Sequence, residues 1–483
     1  MFESWKRTHT WETCKLNRGK FGSFLSHFVR ESESIVLNLD APWGAGKTEF
    51  LKRLYVDLDS HSHPVIYINA WESDFSKNPL SVITSELLTQ LSQSFINEDP
   101  DFKEKLYPLF GKALKYSSLA VNLLKYSGET DTAQSVEEAA AIASTIPQTV
   151  ESICDINTSN RELMVSIQGA HQAQIKAMKE VKEQLSALVA MSEILESKKL
   201  PVVVLVDELD RCRPNYAIEF LEVIKHFFEA NNFVFICASD TKQLSESIKT
   251  IYGNSFDSSH YLRRFFGRKV LLPPPDIHHY LAEIGIPEPI ENSTLSLTPD
   301  LDGLGELDII FSEILLDIYQ NSSYKLELRD IDQILTKYRA CLSSASCADT
   351  KVYLNAVVLF YSIAEEHVGK PYTFDKSGVS VKSKVTIEGK PVSNFINVQF
   401  SLCSVVETES VKWQNGRIKD VTYLSPIRVL RGFTYIPDGY NNASCRALCK
   451  SYSKSLLHWE EQDAKYYLKE DIRNLVELAS YIE

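Results

Sequence analysis

Lys47 and Thr48 close a small-residue loop, Ala41-Pro42-Trp43-Gly44-Ala45-Gly46, that follows the apolar run Ile35-Val36-Leu37-Asn38-Leu39-Asp40. A strand that runs into such a loop and then into a helix is suited to holding phosphate. Glycine lets the backbone come close to the anion, and N–H groups of the loop and of the helix N-terminus point at it. In that arrangement Lys47 reaches the β- and γ-phosphates of a nucleoside triphosphate, and the Thr48 hydroxyl binds Mg2+. Trp43, Gly44, Ala45, Gly46 and Glu49 complete the stretch expected to wrap the nucleotide. Ala41 occupies the place of the first glycine in the G-x-x-x-x-G-K-[ST] pattern, a mild departure because that position only shapes the turn out of the strand. The bland alternative is an ordinary strand, turn and helix with a solvated lysine.

A second set of candidates lies far along the chain, in Leu200-Pro201-Val202-Val203-Val204-Leu205-Val206-Asp207-Glu208-Leu209-Asp210-Arg211-Cys212. Its apolar run suits a strand buried on both faces of a parallel sheet. Carboxylates at the C-terminal end of such a strand lie where open α/β sheets bind ligands. Asp207 is the natural partner for the Mg2+ sphere, directly or through water. Glu208 is placed to orient and deprotonate the attacking water. For Asp210 and Arg211 a second ion, a neighbouring subunit and a local ion pair all remain open. An acidic turn after a core strand is the alternative for the whole group.

The elements that must position these residues follow from periodicity. Phe50, Leu51, Leu54 and Leu58 mark one side of the helix after the loop; residues 64–71 read as a second strand, and 79–95 as a helix with apolar residues every three to four positions. After the acidic strand come a helix at about 215–230 and the strand Phe233-Val234-Phe235-Ile236-Cys237-Ala238. This alternation predicts an α/β fold with a parallel central sheet. Ahead of it, Phe21, Phe24, Leu25 and Phe28 stand at helical spacing; Asn69 and Trp71 are placed to shape the site from the neighbouring strand, with core packing the favoured reading for Trp71.

Between the phosphate loop and the acidic strand, residues 100–199 carry only helical patterns. Met178, Val181, Leu185, Leu188 and Leu195 within them fit a short coiled coil or a helix packed on the domain. An acidic loop is expected at 288–306, helices at 309–319 and 328–342, a β-rich stretch at 372–435 and closing helices at 443–482. The expected organisation is therefore a core from 1–99 and 200–275, a helical insert at 100–199, a helical lid at 276–345 and a mixed α+β unit at 346–483.

Composition narrows the class. The chain has 483 residues, 44% hydrophobic and 24% charged, which predicts two or three soluble globular domains. A net charge of −13 argues against a surface that coats nucleic acid, without excluding a local basic patch. The nine cysteines form no C-x-x-C pair, a pattern of reduced thiols in a cytoplasmic protein. The N-terminus shows no secretion signal, and no window is apolar enough to span a bilayer.

Several ordered blocks together resemble the KAP-family P-loop NTPases, a branch of the additional-strand class of P-loop ATPases. They are Ala41-Pro42-Trp43-Gly44-Ala45-Gly46-Lys47-Thr48, Asn69-Ala70-Trp71, Asp207-Glu208-Leu209-Asp210-Arg211-Cys212, Ala238-Ser239-Asp240 with Gln243-Leu244, and Tyr261-Leu262-Arg263-Arg264. The family usually reads Asp-Asp where this chain has Asp207-Glu208, which keeps a carboxylate at the base position. Many members carry transmembrane helices in the slot of the present helical insert, which is not apolar enough for that role. The resemblance implies an ATPase with ATP and Mg2+ as ligands. It also implies association with phage exclusion in bacteria and with membrane signalling scaffolds in animals.

Arg263 and Arg264 resemble the position from which related ring ATPases present an arginine finger to a neighbouring subunit, with Arg264 narrowly favoured; surface arginines paired with acidic neighbours are the alternative. Arg329 resembles a lid arginine that senses the γ-phosphate. Ser239 and Asp240 stand where a polar group holds the attacking water or simply caps a helix. The reading is an ATP-hydrolysing switch or assembly ATPase that forms homo-oligomers, works with protein partners and takes part in anti-phage defence. A nucleotide-dependent scaffold with little turnover and a DNA-associated motor are its rivals.

Overall fold

The uninterrupted apolar runs become the inner strands of a five-stranded sheet. The computed structural model describes residues 2–96 apart from 77–78, and residues 199–369 apart from 228–231, 292, 299–306 and 323. Beyond these it describes parts of 381–435 and residues 465–482. The chain divides into two compact units, Met1–Pro274 and Pro275–Glu483.

In the first unit the strands are β1 (Ile35–Asp40), β2 (Val65–Asn69), β3 (Val202–Asp207), β4 (Phe233–Ser239) and β5 (Arg268–Leu271). Their spatial order is β2-β3-β4-β1-β5, and every pairing is parallel. β5 has no counterpart in the sequence reading. It is a short edge strand in which Arg268 and Lys269 are exposed, so the apolar pattern that reveals buried strands is missing.

Period-two alternation places β3 in two layers of core at once. Val202, Val204 and Val206 pack with Phe233, Phe235 and Cys237 against α4 (Pro79–Ile96) and α5 (Pro214–Phe227). Val203 and Leu205 pack with Val234, Ile236 and Ala238 in the layer formed by α1 (Phe2–Thr8), α2 (Gly19–Arg30) and α3 (Lys47–Ser60). Phe50, Leu51, Leu54 and Leu58 form the buried side of α3, as the spacing predicts. The face of α2 differs from the expected one: Gly22, Leu25, Ser26 and Val29 are buried, whereas Phe24 and Phe28 face solvent. Trp11 lies where any side chain at Gly22 would stand, so α2 sits close against the segment before it.

The second unit has its own core. It contains α6 (Ile277–Ile284), α7 (Leu307–Gln320), α8 (Leu328–Ser346), α9 (Ala356–His367) and α10 (Lys469–Ala479). A three-stranded sheet joins β6 (Leu295–Thr298), β7 (Val352–Asn355) and Lys465–Tyr466 in parallel. Phe311 and Phe360 stack with centroids 3.7 Å apart beneath Tyr338. β6 falls inside the expected acidic loop, and its pairing with β7 spans the expected boundary at 345/346, so lid and C-terminal segments share one core. Short antiparallel pairs such as Val405–Lys412 with Ile418–Ser425 lie in the stretch read as β-rich. The expected insert lies outside the described residues except for Lys199, as do 443–464 of the expected closing helices.

Two outcomes follow. Leu205 is fully buried, so Leu205→Ala is expected to cost about 2–5 kcal/mol in chemical denaturation. His63 is buried in the turn between α3 and β2, with Nδ1 3.2 Å from the Pro201 carbonyl, and burial holds its pKa below the usual histidine value. The unfolded chain then takes up a proton at higher pH than the folded one, so stability falls as pH drops through that window. The thermal midpoint should decrease between about pH 7 and pH 5, less steeply in His63→Gln, as a melting series in matched buffers will read.

Candidate nucleotide-binding site

Because all five strands run the same way, the C-terminal ends of β1, β2, β3 and β4 lie along one edge, with Asp207 in register beside Asn69. The phosphate loop leaves β1 at that edge and enters α3. Gly44 and Gly46 hold the left-handed conformation, with φ of 72° and 79°, that side-chain-bearing residues adopt at a cost. No side chain caps α3 at Gly46, so the first N–H groups of the helix face the loop.

The structure brings Lys47 and Thr48 together with the acidic end of β3. The Lys47 ammonium is buried; it donates to the carbonyls of Ala41 at 2.9 Å and Pro42 at 3.3 Å and lies 3.5 Å from Asp210 Oδ2. The same Oδ2 accepts the Trp43 indole N–H at 2.8 Å and the Asp240 backbone N–H at 2.7 Å. Asp210 Oδ1 is buried without a hydrogen-bond partner. Of the roles left open for Asp210, the structure displays the local ion pair, here holding the lysine and tryptophan of the loop beside the ends of β3 and β4.

Asp207 is almost fully buried. Its Oδ2 accepts the Tyr67 hydroxyl at 2.8 Å and its Oδ1 accepts the Glu208 N–H at 2.9 Å, and the Thr48 hydroxyl is near enough to favour its ionised form. Burial pushes its pKa up, and the Tyr67 and Thr48 hydroxyls oppose that shift. The sequence alone does not single out Tyr67. Its position in β2, one strand from Asp207, was the available signal, but only the pairing register makes it informative.

Glu208 has φ 58° and ψ 25°, a left-handed conformation unusual for a residue with a side chain. That turn directs the carboxylate toward Asn69 Nδ2, 3.3 Å from Oε2, and Arg211 Nη1, 2.9 Å from Oε1. Burial raises its pKa, while the Arg211 guanidinium lowers it. Arg211 also lies 5.7 Å from the centroid of Trp71. Trp71 is half exposed rather than core: it follows the end of β2, and the Arg211 guanidinium lies over its ring.

Other expected site residues are placed differently. Glu49 turns away from the loop, its carboxylate 3.4 Å from His9 Nε2 and 3.7 Å from Lys52 Nζ, so only its backbone belongs to the first turn of α3. Ser239 is fully buried and donates to Asn38 Oδ1 at 3.0 Å, and Asp240 caps the helix 241–252 through the N–H groups of Lys242 and Gln243. Asp240 thus displays the capping role, while Ser239 ties β4 to Asn38 of β1. Arg263 and Arg264 follow the short helix Ser258–Leu262; both are exposed, and neither has a carboxylate partner among the described residues. Arg329 is exposed in the first turn of α8, in the second unit.

A strand, phosphate loop and helix joined to a parallel strand ending in paired carboxylates define a P-loop protein. The KAP family P-loop domain matches residues 23–284, more than half the chain, and the chain belongs to that family. It is similar to the phage T7 exclusion protein of Escherichia coli strain K12, at 23% identity over 248 residues. That match spans 50% of this chain and only 30% of the relative. Among solved structures, C. elegans PCH-2 has a TM-score of 0.26 and 13% identity, covering 76% of this chain and 73% of its own. The Walker-type ATPase PABY2304 of Pyrococcus abyssi has a TM-score of 0.29 and 12% identity, covering 81% and 98%. Likenesses this distant bear on neither fold nor function. No helix among the described residues is long and apolar enough to cross a membrane.

Asp210→Ala would leave the buried Lys47 ammonium without its counter-charge and two donors without their acceptor. A loss of about 3 kcal/mol in the nucleotide-free protein is expected from denaturant titration.

Proposed function

We propose that the protein binds Mg2+-ATP and hydrolyses it, and that it works as a conformational switch or an assembly ATPase. The observation that carries this reading is the meeting of Lys47 and Thr48 with Asp207, Glu208 and Asp210 at one sheet edge. Mg2+ fits the donors present, because the Thr48 hydroxyl and the Asp207 carboxylate are hard oxygen ligands and Asp207 is buried with its ionised form disfavoured until a cation shares its surroundings. Bound there, the ion would supply charge neutralisation to the phosphate oxygens. Lys47 would exchange the Ala41 and Pro42 carbonyls for phosphate oxygens. Glu208, held between Asn69 and Arg211, would take the proton of a water as its oxygen attacks the γ-phosphorus and ADP leaves.

The exposed Arg263 and Arg264 are the candidates to complete a neighbouring copy's site, with Arg264 favoured, and Arg329 is the candidate for sensing the γ-phosphate. The likeness to a phage exclusion protein supports a role in anti-phage defence, for which protein partners are part of the proposal. A second reading, a nucleotide-dependent scaffold with little turnover, is favoured by one feature: both oxygens of Glu208 are already engaged.

Phosphate release measured over a range of protein concentrations separates these readings. Lys47→Ala is expected to lose nucleotide binding, and Glu208→Gln to keep binding while losing turnover by about a hundredfold or more. Specific activity that rises with protein concentration, and fails to rise in Arg264→Ala, would support completion of the site by a second copy. Tight ATP binding with no turnover in the wild-type protein would leave the scaffold.

A further inference from the structure

Arg18 stands immediately before α2, far in sequence from both motifs, and is only 3% exposed. Its Nη1 donates to the carbonyl of Ala45, inside the phosphate loop, at 2.7 Å. Its Nη2 donates to the carbonyl of Pro273, just beyond β5, also at 2.7 Å. Its Nε is buried and has no partner, and among the described residues no carboxylate pairs with the guanidinium. Burial lowers its pKa to about 10. A desolvated cation with no counter-ion is costly to keep, so a compensating role is called for.

Geometry supplies that role. Across a planar trans peptide the carbonyl and the following N–H point in opposite directions. Pinning the Ala45 carbonyl to Arg18 therefore turns the Gly46 N–H away from Arg18, at the residue whose φ of 79° leads into an uncapped helix N-terminus. The second bond reaches the segment that follows the edge strand, where Leu272 N–H donates to Asp40 O at 3.0 Å on the very strand that feeds the loop. One side chain thus clamps the loop and the stretch through which the chain leaves the first unit.

We propose that Arg18 is a positioning residue for the nucleotide: it fixes the Ala45–Gly46 peptide with its N–H turned toward the phosphates, and it couples the occupied loop to residues 271–274. The proposal rests on the loop being a nucleotide site and does not require hydrolysis. A bound polyphosphate would also provide the negative charge that Arg18 lacks.

The test is calorimetric titration of the full chain with MgADP and with MgATP, comparing wild type, Arg18→Ala and Arg18→Lys. Arg18→Ala is expected to weaken both nucleotides about tenfold or more and by similar factors, since the pinned peptide belongs to the part of the loop shared by both. Arg18→Lys should recover part of the loss, and in turnover the change should appear in KM rather than kcat. Wild-type affinity in Arg18→Ala would overturn the proposal. Binding that depends on Arg18 in a protein without turnover would uphold it while refuting the hydrolysis reading. Should Arg18→Ala fail to fold, hydrogen exchange on the wild-type protein decides. ADP is then expected to slow exchange at 16–20 and 268–272 together with 43–48, and slowing confined to the loop would overturn the coupling.

Discussion

The parallel pairing of β3 with its neighbours is the constraint on which the rest of the first unit depends. It sets Asn69 beside Asp207 and brings the end of β1 to the same edge as the end of β3, although more than 150 positions of chain separate the two motifs. Both faces of β3 are buried, so its register is held by apolar packing on two sides rather than by the polar residues at its end. The carboxylates inherit their positions from that packing. This is why a strand with no polar residue until Asp207 can hold a chemically demanding group at its tip.

At that tip, charge is balanced locally. Asp210 faces Lys47, Glu208 faces Arg211, and Asp207 accepts from the Tyr67 hydroxyl and a backbone N–H. The three carboxylates therefore differ in kind despite lying within four positions. Burial disfavours the ionised form of Asp207, whose electrostatic surroundings include the Thr48 hydroxyl. Glu208 sits in a left-handed conformation, strain of a sort that proteins retain where a side chain must be aimed. At the loop, the buried Arg18 guanidinium is bonded to the carbonyls of Ala45 and Pro273 and, among the described residues, to no carboxylate.

Local pattern made much of this legible. Small residues ahead of Lys47 and Thr48, an apolar run ending in carboxylates, and alternation of strand and helix are signals carried by neighbouring residues. They gave the α/β class and the family resemblance that the domain match bears out. What went unread involved either partners distant in sequence or weak patterning. β5 is too exposed to show an apolar period, β6 hides in an acidic stretch, and Phe24 and Phe28 share helical spacing with Leu25 yet face solvent because Gly22 and Val29 take the contact with the core.

The sequence by itself determined that a phosphate loop and an acidic strand exist, because glycine conformational freedom, helix N-terminal polarity and apolar runs act over a few residues. Only the tertiary structure decided which groups those motifs meet. Tyr67 on Asp207, Asn69 and Arg211 on Glu208, Trp43 and Lys47 on Asp210, and Arg18 on Ala45 are contacts between segments whose separation along the chain carries no information about their separation in space. Strand order and register convert one into the other, and they are set by the packing of two apolar layers that no single segment contains.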